Sequence, residues 1–369
     1  MLPLGAAGAR ILVTADAVGG VWTYALDLAR GLAARGLGTV LAALGPPPDA
    51  VQRAAAEAVP GLLLHRIEGP LDWMAERREE VAEVAAAVAA LAAREDVALA
   101  QLNSPALAAL ARFPVPVVGA CHSCLATWWR AVRGDAPLPA VFAWRTALLA
   151  EGYRAADALV APSAAFAAAT AEAYAMPRPP RVVHNGRRAL AVPAAAPADL
   201  VVTAGRLWDE GKDVATLDRA AARLPVPVLA AGPLAGPNGA RIEPRHLRTP
   251  GRLGEAALAA ILAQRPIFAS AARYEPFGLA VLEAAQAGCA LVLSDIPSFR
   301  ELWGDAALFV PPGDDVTLAS IINALLRDRE RRAACGAAAQ ARARRYSVEA
   351  MVGGMLDIYR GLVRQGAAA

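Results

Sequence analysis

Short apolar runs with no polar alternate recur along this chain, each followed by a longer alanine-rich stretch with helical spacing. In the first half the runs are Ile11–Thr14, Thr39–Leu44, Leu62–Ile67, Val97–Leu102, Val115–Ala120, Ala158–Ala161 and Val182–His184. In the second half they are Leu200–Ala204, Val226–Ala231, Pro266–Ser270, Ala290–Ser294 and Leu308–Val310. A strand without alternation is buried on both faces, and a helix after each strand returns the chain to lay the next one parallel. The pattern predicts an α/β protein built on doubly wound parallel sheets.

The two series meet at Ala191–Asp199, a stretch of alanine and proline that reads as a linker. A chain of 369 residues also exceeds one ordinary core. Two domains are expected, with a boundary near Leu190.

Composition narrows the class. Hydrophobic residues make up 56% and charged residues 19%, which suits a compact fold and argues against disorder. The richest apolar stretch, around Ala155 to Met176, is broken by Asp157, Pro162 and Glu172, so no spanning helix is expected. The first ten residues lack a basic region followed by an apolar one, and a cytoplasmic protein is expected, with peripheral membrane contact left open. Basic and acidic residues number 37 and 34 and are spread over both halves, which disfavours nucleic acid as a partner. Cys121 and Cys124 have C-x-x-C spacing without a second ligand pair, so two small thiols flanking His122 are favoured over zinc or redox use.

Ligands of doubly wound sheets bind beyond the carboxyl ends of the strands. After the first run stands Gly19-Gly20, followed by a helical pattern. Either backbone amides there approach an anion at the helix start, or the pair makes a tight turn needing positive φ. Neither G-x-G-x-x-G nor a Walker loop occurs, so ordinary dinucleotide and P-loop readings lose support. After Leu200–Ala204 comes Gly205-Arg206-Leu-Trp-Asp-Glu-Gly-Lys212, where a guanidinium and an ammonium can clamp a diphosphate. Lys212 is the only lysine among the 37 basic residues, which points to a role for a compact point charge. After Pro266–Ser270 comes Glu275-Pro276-Phe277-Gly278-Leu279-Ala-Val-Leu-Glu283, with Pro276 and Gly278 suited to a helix start and Glu283 about two turns on. One carboxylate can reach a sugar and the other ribose hydroxyls.

The string EPFGLAVLE resembles the E-x7-E motif of the family-four retaining glycosyltransferases of the GT-B fold. The resemblance extends to GGVWTYALDLARGLAARG, CHS, APSAAF, HNG at Asn185-Gly186, AGRLWDEGK, DIPSFREL and FVPPGD, in order along nearly the whole chain. It implies two facing Rossmann-like domains, an acceptor-side one over 1–190 and a nucleotide-sugar one over 191–346. The last helical stretch, 347–369, would cross back onto the first domain.

By the same resemblance, Arg206 and Lys212 hold the donor diphosphate and Glu283 the ribose, while Glu275 lies beside the transferred sugar. Gly205 and the backbone of Phe277, Gly278 and Leu279 complete the donor site. His122 reaches the donor sugar from the first domain, and Gly19 and Gly20 lie at the cleft. Two features depart from the family pattern. Lys212 stands six residues after Arg206, where many relatives have five, and cysteines flank His122. A buried, hydrogen-bonded histidine stays the alternative for His122.

The implied reaction is transfer of a sugar from a nucleoside diphosphate to a hydroxyl acceptor, a sugar or glycolipid, in cell-surface polysaccharide or glycolipid assembly. No Asp-x-Asp occurs, so no metal or other cofactor is expected and the two cations would take a divalent ion's place. A covalent route through Glu275 would need a second carboxyl group about 5 Å away, and none can be assigned. The rivals are a GT-B sugar-nucleotide epimerase and a non-catalytic sugar-nucleotide-binding subunit. Trp128 and Trp129, expected in a loop after His122, either stack on an acceptor sugar or pack inside.

Overall fold

The computed structural model describes residues 8–190 and 195–368. The described residues divide into two units, one formed by residues 8–130, 135–186 and 348–368, the other by 131–134, 187–190 and 195–347. Of the expected linker, residues 191–194 lie outside the described residues, as does the N-terminal stretch 1–7.

The first unit holds strands β1 (Arg10–Asp16), β2 (Gly38–Leu44), β3 (Leu62–Arg66), β4 (Leu99–Leu102), β5 (Val117–Ala120), β6 (Ala158–Ala161) and β7 (Arg181–Val182). They form one sheet in the order β3-β2-β1-β4-β5-β6-β7, with every pairing parallel. The second unit holds β8 (Val201–Ala204), β9 (Val228–Ala231), β10 (Arg248–Gly251), β11 (Ile267–Ser270), β12 (Ala290–Ser294) and β13 (Leu308–Val310), ordered β10-β9-β8-β11-β12-β13 and again all parallel.

Absence of alternation has a direct cause. Ile11 and Val13 enter one core and Leu12 the core on the opposite face. Val201 and Val202 divide between two cores in the same way, as do Val292 and its neighbours Leu291 and Leu293. In each sheet the strand order reverses once, between β1 and β4 and between β8 and β11. Such reversals open a crevice at the carboxyl ends.

The C-terminal helix, Val348–Ala368, belongs to the first unit, where Met351, Val352, Met355, Leu356 and Tyr359 join the core beneath the helix Gly20–Ala33. Gly31 makes the close approach possible, since a Cβ there would lie 2.4 Å from Val352 Cγ2. No helix among the described residues is long and apolar enough to cross a membrane.

Three local expectations are corrected. β10 was not foreseen, because Arg-Thr-Pro-Gly carries no apolar run. It is an edge strand paired only with β9, and an edge needs neither two buried faces nor every N–H. The run Val182–His184 contributes only Val182 to the two-residue β7. Trp128 and Trp129 sit in a helix, Leu125–Arg133, and not in a loop. Nothing between Leu125 and Arg133 breaks a helix, and Gly134, at φ 61°, ends it.

Candidate active site

In the second unit the motif residues converge where β8 meets β11. β8 is followed by Gly205, whose φ of 151° only glycine adopts readily. Its N–H donates to Ala231 O at 3.0 Å, while Gly232, at the end of β9, has φ 147°. A Cβ on Gly232 would lie 1.8 Å from the Gly205 carbonyl oxygen. Two bare backbones therefore run side by side at this edge. A Cβ on Gly205 would meet only Lys212 Cε, at 3.8 Å, so the main chain is open to a ligand on that side.

The loop after Gly205 is laid against the loop after β11 by main-chain bonds. Gly211 O accepts from Arg273 N at 2.9 Å and from Tyr274 N at 3.0 Å. This registration brings the Lys212 ammonium onto the Glu275 carboxylate, with both side chains about one-fifth exposed. Arg206 donates to Asp209 Oδ2 at 2.9 Å and lies over the Trp208 ring, while Asp209 Oδ1 accepts from Gly211 N at 2.9 Å. Each cation thus rests on a carboxylate. An arriving diphosphate would compete with Glu275 and Asp209 for them.

Gly278 precedes the helix Leu279–Gln286 in a left-handed conformation, φ 89° and ψ 71°, and offers no side-chain cap to the first-turn amides. The helix starts later than expected. Pro276 lies outside it and Glu283 falls in its second turn, because the left-handed residue at 278 prevents helical geometry upstream. The Phe277 ring is buried edge-on against Tyr346, so its backbone is the part available to a ligand. Gly205, Lys212, Glu275, Ala280 and Val281 line one small cavity of about 20 Å³, room for a single water.

Glu283 points to a different partner. Its Oε1 accepts from Arg187 Nε at 2.7 Å, with 4% of the Arg187 side chain and 11% of the Glu283 side chain exposed. Arg187 Nη2 also donates to Glu255 Oε2 at 2.8 Å, and Arg188 holds the other oxygen of Glu255.

In the first unit, His122 follows β5, and its Nε2 lies 3.0 Å from Asn103 Oδ1 beyond β4. Asn103 Nδ2 donates to Thr14 O at 2.6 Å, and Gln101 Nε2 donates to Asn103 Oδ1 at 2.9 Å and to Tyr24 OH at 3.1 Å. Tyr359 OH, from the C-terminal helix, donates to Gln101 Oε1. Since Asn103 presents its oxygen, His122 Nε2 is the donor and Nδ1 carries the lone pair. Burial pushes the imidazole pKa down to about 4, so the ring is neutral at physiological pH. The ring also packs edge-on against Tyr24 at 4.5 Å.

The positive-φ turn considered for Gly19-Gly20 is absent. Gly19 is extended, with φ −138° and ψ −156°, as the cap of the helix Gly20–Ala33. Asp16 Oδ1 instead accepts from Val18 N at 2.9 Å and Gly19 N at 3.2 Å, so these two amides already serve an internal carboxylate. Trp129 donates from Nε1 to Ala136 O at 2.8 Å and tilts against Trp128, and both rings are half-buried.

Arg187, Asn103 and Gly232 were not picked out from the sequence. Gly232 left a signal, a glycine directly after a strand as at Gly205. Arg187 follows Asn185-Gly186 without intervening residues, and Asn103 follows a strand end. Their partners, however, lie 96 and 19 residues away along the chain.

The chain was compared with known proteins. Residues 18–188 match the model of Glycosyltransferase Family 4, and residues 241–342 match that of Glycosyl transferases group 1. The chain is similar to the phosphatidyl-myo-inositol mannosyltransferase of Mycobacterium leprae (strain TN), 33% identical over 127 residues covering 33% of each chain. It is also similar to that of Mycolicibacterium smegmatis, 32% identical over 117 residues, 31% of this chain and 30% of the relative. These matches span about a third of the relatives' length. Among solved structures, sucrose-phosphate synthase from Thermosynechococcus elongatus superposes with TM-score 0.78 at 22% identity, covering 98% of this chain and 100% of that one. Anabaena Alr3699/HepE in complex with UDP-glucose superposes with TM-score 0.72 at 20% identity, covering 96% and 100%.

Proposed function

The chain belongs to the family-four glycosyltransferases, and on that premise we propose that it transfers a sugar from a nucleoside diphosphate with retention of configuration and without a metal ion. The observation that carries the reading is the convergence at the β8–β11 reversal. There Lys212 and Arg206 stand with Glu275 beside a glycine-lined strand edge and an uncapped helix start.

Glycosyl transfer passes through an oxocarbenium-like state while the leaving diphosphate gains negative charge. Cations and amides held in advance where that charge grows favour the transition state over the ground state. Lys212 and Arg206 are placed by Glu275 and Asp209 at the strand ends, and they exchange those carboxylates for phosphate oxygens when the donor arrives. The acceptor hydroxyl attacks the face the leaving group departs from, and a phosphate oxygen takes its proton. His122 Nδ1, a lone-pair acceptor on a neutral ring, suits a hydroxyl of the donor sugar.

The acceptor we propose is a hydroxyl of a glycolipid or cell-surface polysaccharide precursor, met at the cytoplasmic membrane face. The names of the mycobacterial relatives support it, and the UDP-glucose complex of the Anabaena protein supports a nucleotide-sugar donor. The test is transfer from UDP- and GDP-sugars to phosphatidylinositol and glycolipid vesicles, with and without EDTA, and the product anomer read by NMR. A product with the donor's configuration, formed equally in chelator, is expected. An inverted anomer refutes retention, and loss of transfer in EDTA that is restored by Mg²⁺ refutes metal independence.

A further inference from the structure

We propose that Arg187 is a positioning residue that sets the carboxylate of Glu283 for the donor's ribose. The proposal rests on the reading of Glu283 as the ribose-binding carboxylate.

A guanidinium with 4% exposure is stable only when paired, and here Glu283 and Glu255 take it at 2.7 and 2.8 Å. The main chain of the same residue is equally engaged. Arg187 N donates to Tyr346 O at 3.2 Å, and Arg187 O accepts from Gln286 Nε2 at 2.7 Å. Gln286 stands three residues after Glu283, on the same face of the helix Leu279–Gln286. One residue therefore grips that face at two points, by its side chain at Glu283 and by its carbonyl at Gln286. At the start of the motif, the Tyr346 ring packs edge-on against Phe277 at 5.6 Å. The segment from Phe277 to Gln286 is thus tied to Arg187 and to Tyr346, and those two are bonded to each other.

This arrangement fixes the side chain of Glu283 before a ligand arrives. An unpaired glutamate would sample several rotamers, and binding would have to select one. Pairing does not use up the carboxylate, since an ionised one has about four acceptor sites. It can keep Arg187 and accept from ribose hydroxyls as well. Charge is balanced locally, with Arg187 and Arg188 facing Glu255 and Glu283. A merely structural brace would hold the helix without favouring a nucleotide that has its hydroxyls. The two roles are separable.

The experiment measures binding of UDP, GDP and ADP, and of their 2′,3′-dideoxy counterparts, to the full chain and to four variants: Arg187→Ala, Arg187→Lys, Glu283→Gln and the double variant Arg187→Ala/Glu283→Gln. Arg187→Ala is expected to weaken the preferred ribonucleotide about tenfold and the dideoxy form hardly at all, with donor KM raised and kcat kept. Arg187→Lys keeps the charge without the planar fork and should restore part of the affinity, which guards against a poorly folded alanine variant. In the Glu283→Gln background, removal of Arg187 should add no further loss. Equal weakening of both nucleotide forms, or additive losses in the double variant, would overturn the proposal and leave Arg187 a brace. If Glu283→Gln alone leaves the preference for the ribonucleotide intact, the ribose assignment of Glu283 is overturned, and this proposal with it.

Discussion

Replacing Asn103 by aspartate should convert His122 from a hydrogen-bond acceptor into a cation. In the native protein the ring is neutral because burial holds its pKa down to about 4, and the side chains around it, Asn103, Gln101, Tyr24 and Tyr359, carry no charge at neutral pH. The Asn103→Asp change would put a carboxylate oxygen against Nε2, where the amide oxygen now lies 3.0 Å away. The charge centres in that geometry lie about 4 Å apart, worth about 4 kcal/mol at an effective dielectric constant of about 20. One pKa unit corresponds to about 1.4 kcal/mol, so the shift is about three units upward, from about 4 to about 7. At pH 6 the variant ring is then mostly protonated, with N–H on both nitrogens and no lone pair for a sugar hydroxyl. Two assays read this. Imidazole 15N NMR should show the native ring as the Nε2–H form, untitrated between pH 8 and about 5, and the variant ring titrating near 7. The transfer rate should fall in the variant below about pH 7 and recover above it, while the native rate does not respond to His122 in that range. Stability moves consistently. Because the native folded pKa lies below the unfolded 6.5, the unfolded chain binds the extra proton, and His122 costs stability as pH falls from about 6.5 toward 4. In the variant that acid sensitivity should largely vanish. A variant ring that still titrates below pH 5, or a native ring near 6.5, would refute the reasoning.

Three further outcomes are expected. Lys212→Ala removes the ammonium from Glu275 and should cut kcat by about a hundredfold and weaken nucleoside diphosphate binding while leaving near-native circular dichroism; unchanged kinetics would take Lys212 out of the site. Gly278→Ala forces a Cβ into a left-handed residue at φ 89°, 3.3 Å from Glu275 Cγ, and should cost about 1–2 kcal/mol and lower transfer together, checked by urea unfolding and donor KM. Gly232→Ala drives a Cβ to 1.8 Å from the Gly205 carbonyl, so β8 and β9 must separate, and a drop of more than about 4 kcal/mol, or loss of folded protein, is expected; a thermal melt within a few degrees of native would refute that account.

Much of the architecture was legible because it is imposed strand by strand. A parallel strand with two buried faces has to be apolar at consecutive positions, as Ala290–Ser294 is, and that leaves a mark in the sequence whatever lies beside it. β10 left none, since an edge strand with a proline is under no such demand. The motif around Gly278 was legible for a similar reason. At φ 89° and ψ 71° the backbone before this helix is one that glycine adopts without strain.

The pairings were not legible. Lys212 meets Glu275 across 63 residues and Arg187 meets Glu283 across 96, and nothing in either segment names its partner. At Gly19 the sequence left an anion site and a positive-φ turn open; the turn is absent, and Asp16 holds the amides of Val18 and Gly19. At His122 it left a sugar contact and a buried histidine open, and the structure joins a neutral, hydrogen-bonded ring to a lone pair on Nδ1. What the sequence alone determined was the set of local demands: which runs are strands, where the backbone needs glycine, and which segments carry charge beyond a strand end. What the tertiary structure decided was who meets whom, because β8 lies beside β11 only after the whole sheet has ordered itself, and strand order depends on packing summed over the domain and not on any one segment.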